Sequence, residues 1–226
     1  MTKLHGWLIA FGALGIATGI GAASRGAAAD VTAPAAQAAA LVIRDARVFD
    51  GERMHEKASV LVEHGRIAAI GASVTAPAGA AVVDGAGKTL LPGFIDAHAH
   101  AFGDALERAL VFGVTTELDM FTAHQAVSGW RAQQKEGAPG RADIFSAGTL
   151  VTAPKGHGTE YGMVIPTISS PEEAQAFVDA RIAEGSDYIK IVFDDREAAA
   201  PRFPSITYDT LKAVIAAAKA RGKLAV

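Results

Sequence analysis

The stretch Leu90-Leu91-Pro92-Gly93-Phe94-Ile95-Asp96-Ala97-His98-Ala99-His100 decides how the rest of this chain is read. Pro92-Gly93 interrupts whatever precedes it, so a new element begins at Phe94. Phe94-Ile95 is a short apolar run that leads straight into two histidines one residue apart. Side chains of an extended chain alternate faces, so His98 and His100 project to one side, about one pleat apart. Two imidazoles so placed at a strand end can both reach one metal ion. The competing reading is a pair of loop histidines without a partner. Asp96 is read as structural, on the face opposite to the histidines.

After Pro92 the pattern alternates strand and helix. Phe94–Ala97 is the first strand, and a helix over about 104–112 ends at Gly113. Val114–Met120 is the second strand, and Ala123–Glu136 the second helix. Asp143–Ala147 makes a third strand, followed by a long Gly- and Pro-bearing loop over 149–169. Ser170-Pro171-Glu172-Glu173 has the form of a helix start, with Ser as N-cap, Pro first and acids in the first turn. That third helix reaches Gly185. Tyr188–Phe193 is the fourth strand, Tyr208–Arg221 the fourth helix, and Leu224-Ala225-Val226 opens a fifth strand. Such repeats give a parallel sheet, either open and doubly wound or part of a (β/α)8 barrel. Both folds place their chemistry at the carboxyl ends of the strands. No G-x-G-x-x-G follows the first strand, which counts against a dinucleotide fold.

Before Pro92 the sequence is β-rich and short-stranded. Leu41–Phe49 closes on Asp50-Gly51, and Ala58–Glu63 and Arg66–Ile70 flank His64-Gly65 as a tight hairpin. Ala81–Asp84 and Lys88–Leu91 are two further short strands.

Lys190 is the second decisive residue. It lies in Asp187-Tyr188-Ile189-Lys190-Ile191-Val192-Phe193, in the middle of an apolar strand. Strands of parallel sheets are buried on both faces, so an ammonium there has no evident route to water. Three readings compete. The lysine snorkels at an edge or pairs with an acid such as Asp194. It is a Schiff-base nucleophile, a desolvated amine attacking a carbonyl. Or it is carboxylated by carbon dioxide and bridges two metal ions, the one reading that also accounts for His98 and His100.

The chain has 226 residues, a formal charge of −3 and no cysteine. That charge balance makes no case for nucleic acid. Without cysteine, neither disulfides nor thiolate metal sites exist, so a metal must rest on His, Asp, Glu or a modified side chain. At the N-terminus, Lys3 and His5 precede an apolar run from Trp7 to Ile20, followed by small residues up to Ala29-Asp30. This is the form of a secretory signal peptide over 1–29, cleaved before Asp30, and it implies an exported, periplasmic or secreted protein. The apolar run is shorter than the roughly 20 residues of a spanning helix, so no stable membrane span is expected after cleavage. Residues 30–40 read as a low-complexity linker.

The stretch from Leu90 to His100 resembles the first barrel strand of the metal-dependent amidohydrolase superfamily. Gly185-Ser186-Asp187-Tyr188-Ile189-Lys190-Ile191 resembles the fourth strand of its imidazolonepropionase-like branch, and Gly113-Val114-Thr115-Thr116 its second. The resemblance implies an incomplete (β/α)8, TIM-type barrel over 92–226, limited to its first four to five strands. The module over 41–91 is then the N-terminal portion of a composite β-sandwich. It also implies that His98 and His100 bind the more buried of one or two divalent ions, zinc by default. Carboxylated Lys190 bridges that ion to the second. The family's later histidines and its general-base Asp would lie beyond residue 226, which makes this chain the expected fragment of a longer protein.

The implied reaction is hydrolysis of an amide, cyclic amide or dipeptide-like C–N bond by metal-bound hydroxide, acting on a small-molecule substrate. His157 and Tyr161, in the loop after the third strand, are candidates to orient that substrate, against a reading as solvent-exposed loop residues. Asp119 and His124, near the end of the second strand, are weaker candidates. The alternatives are a Schiff-base lyase or aldolase using Lys190, and a non-catalytic remnant. A half barrel exposes two sheet edges, so the chain alone is expected to be poorly soluble or to self-associate as a homo-oligomer.

Overall fold

The computed structural model describes residues 40–137, 140–194 and 203–226. The expected signal peptide and all of the linker but Ala40 lie outside the described residues. The described part falls into two compact units, one holding residues up to Arg44 with Ser59–Val83, the other Asp45–Ala58 with Asp84–Val226. Among the described residues no helix is long and apolar enough to cross a membrane.

The β-rich region forms one five-stranded sheet. Its strands are β1 (Ala40–Phe49), β2 (Met54–Glu63), β3 (Arg66–Gly71), β4 (Ala81–Asp84) and β5 (Thr89–Leu90). The order is β3-β2-β1-β4, and β5 pairs in parallel with β1. The β2–β3 hairpin follows the sequence reading. His64 and Gly65 both take positive φ, 50° and 73°, as a two-residue turn matched to strand twist requires. At the other turn the Asp50 carboxylate accepts from the Glu52 and Arg53 amides and bonds the His55 ring. Those backbone donors, with His55, hold its pKa far below the usual carboxylate range.

The larger unit carries the parallel sheet β6 (Phe94–Ala99), β7 (Val114–Asp119) and β8 (Asp143–Ser146), in that order. Helices α1 (Ala105–Val111) and α2 (His124–Lys135) connect these strands, as the alternation predicts. Leu106, Val127 and Ile144 pack together as the apolar layer between these helices and the strands. Two helices complete the unit, α3 (Ala174–Glu184) and α4 (Tyr208–Ala220), packed over Val151, Ile168 and Ile189. Thr207 caps α4 through its hydroxyl, which accepts from the Thr210 amide at 3.1 Å.

Three expectations need correction. Tyr188–Phe193 is not a continuous strand. It contributes single parallel bridges, Ile191 to Val151 and Ile189 to Ala225, and so links β8's continuation to the last residues. Hydrogen bonds carry the train onward, from the Asp187 amide to Ser146 O and from the Ile191 amide to Val226 O. Ser170 does not cap by its side chain. A 3-10 turn over Pro171–Glu173 precedes α3, and the Ser170 hydroxyl is spent on the Glu172 carboxylate. Lys190 is half-buried rather than sealed on both faces, because its side chain lines an open cavity.

Candidate functional site

One extra residue in β6 aims the two histidines. Asp96 is in register with Glu117, and Ala99 with Asp119, so three steps on β6 match two on β7. This is a β-bulge, and the Asp96 carboxylate holds it by accepting from the His98 amide at 3.0 Å. Paired residues share a face, so Asp96 and Ala99 face as Glu117 and Asp119 do. His98 and His100 therefore face the other way, with Met120. Strict alternation puts residues 96, 98 and 100 on one face, so the opposite-face placement expected for Asp96 does not follow from alternation; the bulge is what separates it from the histidines.

The two imidazoles meet edge to face with centroids 5.9 Å apart. His100 Nδ1 lies 3.4 Å from the Phe121 carbonyl. A carbonyl can only accept, so Nδ1 carries the proton in that contact and Nε2 keeps its lone pair.

Asp119 fixes the loop that follows. It is fully buried, and its carboxylate accepts from the Ala101 amide at 3.1 Å, the Thr122 hydroxyl at 2.6 Å and the Ser146 hydroxyl at 2.5 Å. Its carbonyl accepts from the Tyr188 hydroxyl at 2.7 Å. Burial pushes the Tyr188 phenol well above its ordinary range, so it stays a donor. Asp119 thus ties together the ends of three strands and the Tyr188 segment, and its carboxylate oxygens are already engaged. Its part is to position the loop after His100. His124 opens α2 and does not line the main cavity.

The cavity, about 760 Å³, lies at the carboxyl ends of the parallel strands. His98, His100, Lys190, His157 and Tyr161, five residues drawn from three distant segments, all line it. The loop pair is itself ordered. His157 Nδ1 sits 2.7 Å from Glu160 Oε1, and Glu160 Oε2 accepts from the Gly158 amide at 2.6 Å. Burial pushes the Glu160 carboxyl up, but its own amide, the Gly158 amide and His157 outweigh that and hold it low. Gly158 at φ 102° and Gly162 at φ 76° bracket this turn, a left-handed pair that favours glycine. The Tyr161 ring lies edge-on to His157 at 5.9 Å.

Sequence reasoning missed the aromatic part of the lining: Phe102, Phe121, Trp130 and Phe193. A signal existed, since Phe102, Phe121 and Phe193 each follow a strand end within three residues.

Two imidazoles on one cavity wall fit a divalent cation as two of its ligands. Among the described residues no group of three His, Cys, Asp or Glu side chains gathers; Lys190 lines the same cavity as the two histidines. An unmodified ammonium is no ligand; a carbamate is.

No protein-family model matches the chain. The dihydroorotase of Geobacter sulfurreducens is 33% identical over 131 residues, covering 51% of this chain and 31% of that protein. The imidazolonepropionase of Mycolicibacterium smegmatis is 54% identical over 43 residues, covering 19% and 11%. Among solved structures, a Xaa-Pro dipeptidase with bound methionine superposes with a TM-score of 0.65 at 23% identity, covering 82% of this chain and 55% of that one. Molinate hydrolase gives 0.64 at 20%, covering 82% and 52%. The chain thus spans less than a third of the length of the curated relatives it matches. Over the part that it spans, the chain is similar to enzymes of the amidohydrolase kind.

Proposed function

We propose that this chain supplies one side of a divalent-metal hydrolase site that cleaves amide, cyclic amide or dipeptide-like C–N bonds. The site would stand on the first four to five strands of a (β/α)8-type barrel. The observation that carries this reading is the convergence of His98, His100 and Lys190 on one cavity at the strand ends. The names of the relatives, dihydroorotase, imidazolonepropionase and a dipeptidase, support the bond class. The N-terminal run over 1–29 supports export as part of the same reading.

His98 and His100 would hold the ion, zinc being the metal best matched to imidazole and carboxylate ligands. His100 would do so through Nε2, with Nδ1 committed to Phe121. The Lys190 amine would attack carbon dioxide, lose one proton and become a carbamate able to add its oxygens to the two imidazoles. When bound, the ion polarises a carbonyl and lowers the pKa of its water to about 7. Tyr161 donates its hydroxyl to the substrate carbonyl. His157, its Nδ1 held by Glu160, presents Nε2 to the substrate's nitrogen side.

Metal retention tests this. After equilibration with zinc and bicarbonate and removal of free ion, the wild-type chain retains zinc. His98→Ala and His100→Ala each lose more than the roughly 10- to 100-fold in affinity that removing a mere outer-shell partner costs. Lys190→Arg abolishes the dependence on bicarbonate. Retention of zinc by the double histidine variant at the wild-type level would sink the reading.

A further inference from the structure

The cavity that holds these residues has a composition of its own. Among the described residues no arginine, aspartate or glutamate lines it, and Lys190 is its one lysine. What remains is aromatic and apolar. Phe102 lies parallel to the His100 ring, 2° between planes, with centroids 6.3 Å apart. Phe121 and Tyr161 meet at 6.2 Å, tilted by 41°. Met163 and Trp130 extend the same wall. Phe102 and Tyr161 are 68% and 58% exposed, which leaves large aromatic faces in water beside the histidines. A concave site of several hundred Å³, mostly apolar with a few convergent polar groups, has the proportions of a small-molecule pocket. Aromatic faces prefer offset-stacked or edge-to-face partners.

We propose that this cavity takes a neutral amide bearing an aromatic or large apolar group, which packs on Phe102, Phe121 and Tyr161. This deepens the hydrolase reading, since it names the substrate class of the same cavity. It concerns binding, and binding can be read without metal or turnover.

Trp130 provides the readout. The sequence holds two tryptophans, Trp7 and Trp130, so the Trp7→Phe chain carries one fluorophore and it lies in the cavity wall. That protein is titrated in EDTA with N-acetyl-L-phenylalaninamide, N-acetylglycinamide and N-acetyl-L-aspartate. The expected result is a saturable change with the phenylalanine amide, at least tenfold tighter than with either other probe. Phe102→Ser, at an exposed position, weakens that binding tenfold or more with an unchanged far-ultraviolet circular dichroism spectrum. Equal or tighter binding of the aspartate probe, or no saturable change with the aromatic one, overturns the proposal. Zinc retention is measured on the same preparation. If zinc is lost while the aromatic probe binds, the hydrolase reading fails and the ligand class stands. If zinc is retained while the aromatic probe fails, the reverse holds.

Discussion

Glu117 is an acid placed where few groups can solvate it. It is 7% exposed, its Oε2 has no hydrogen-bond partner, and Asp96 and Asp119 lie nearby on the same face. Burial first, then these two carboxylates, raises its pKa above the ordinary 4.5. The sign follows from linkage. Between 4.5 and the raised folded value, the folded chain holds more protons than the unfolded one, so stability falls as pH rises through that window. Above the folded value the penalty is fully present. Glu117→Gln removes the charge and keeps the shape, so urea midpoints should be higher than wild type at neutral pH and flatter from pH 4.5 upward. Equal midpoints for both proteins across that range would show that Glu117 is solvated after all. No residue count pointed to this strain, because a Glu in a strand next to Thr and Leu reads as an ordinary solvent-facing position.

At the scale of elements, Gly93 explains why β6 starts where it does. A Cβ there would stand 2.1 Å from Thr115 Oγ1 and 2.7 Å from Thr115 Cβ. Rotating Thr115 moves its Oγ1 and Cγ2 but not its Cβ, so the clash has no cheap escape. Gly93→Ala is therefore expected to cost about 1–3 kcal/mol, the usual range for overpacking. Thr115→Gly in the same chain should return most of it, and a double-mutant cycle by thermal unfolding measures that coupling. Additive losses would mean that the strands part instead. This glycine was legible as a break, and the strand-helix order from β6 to β8, with the two helices α3 and α4, was legible from pattern and punctuation; the reduction of the strand between those helices to single bridges was not. His98, His100, Lys190, His157 and Tyr161, singled out in the sequence, all line one cavity. The bulge at Asp96 was not legible, because register depends on which residues of β7 lie opposite. Nor was the half-burial of Lys190, since the strand pattern Tyr188–Phe193 does not reveal that one of its faces opens on a cavity. The aromatic wall was hidden for a related reason: Phe102 follows β6, Phe121 follows β7 and Trp130 lies on α2, and only the sheet order brings them together.

At the scale of the whole chain, the parallel sheet of the larger unit presents apolar side chains to water. Phe94 and Ile95 on β6 are 58% and 63% exposed, and Leu224 near the far edge is exposed as well. Edges with unpaired backbone groups and apolar side chains template further pairing. The chain as given is expected to sediment as concentration-dependent oligomers, and Ile95→Lys should shift it toward monomer without loss of helical signal. A sharp monomer at all concentrations would show that these side chains are tolerated in water. The Asp119 hub has a bearing on time rather than on structure. Its partners Ala101, Ser146 and Tyr188 stand 18, 27 and 69 residues away along the chain. Chain loops of those lengths must close before the hub exists, and closure entropy makes such contacts slow to win. The β2–β3 hairpin needs only a two-residue turn, so it can form early. The loop after His100 takes its place only when the ends of β6, β7 and β8 have already found one another.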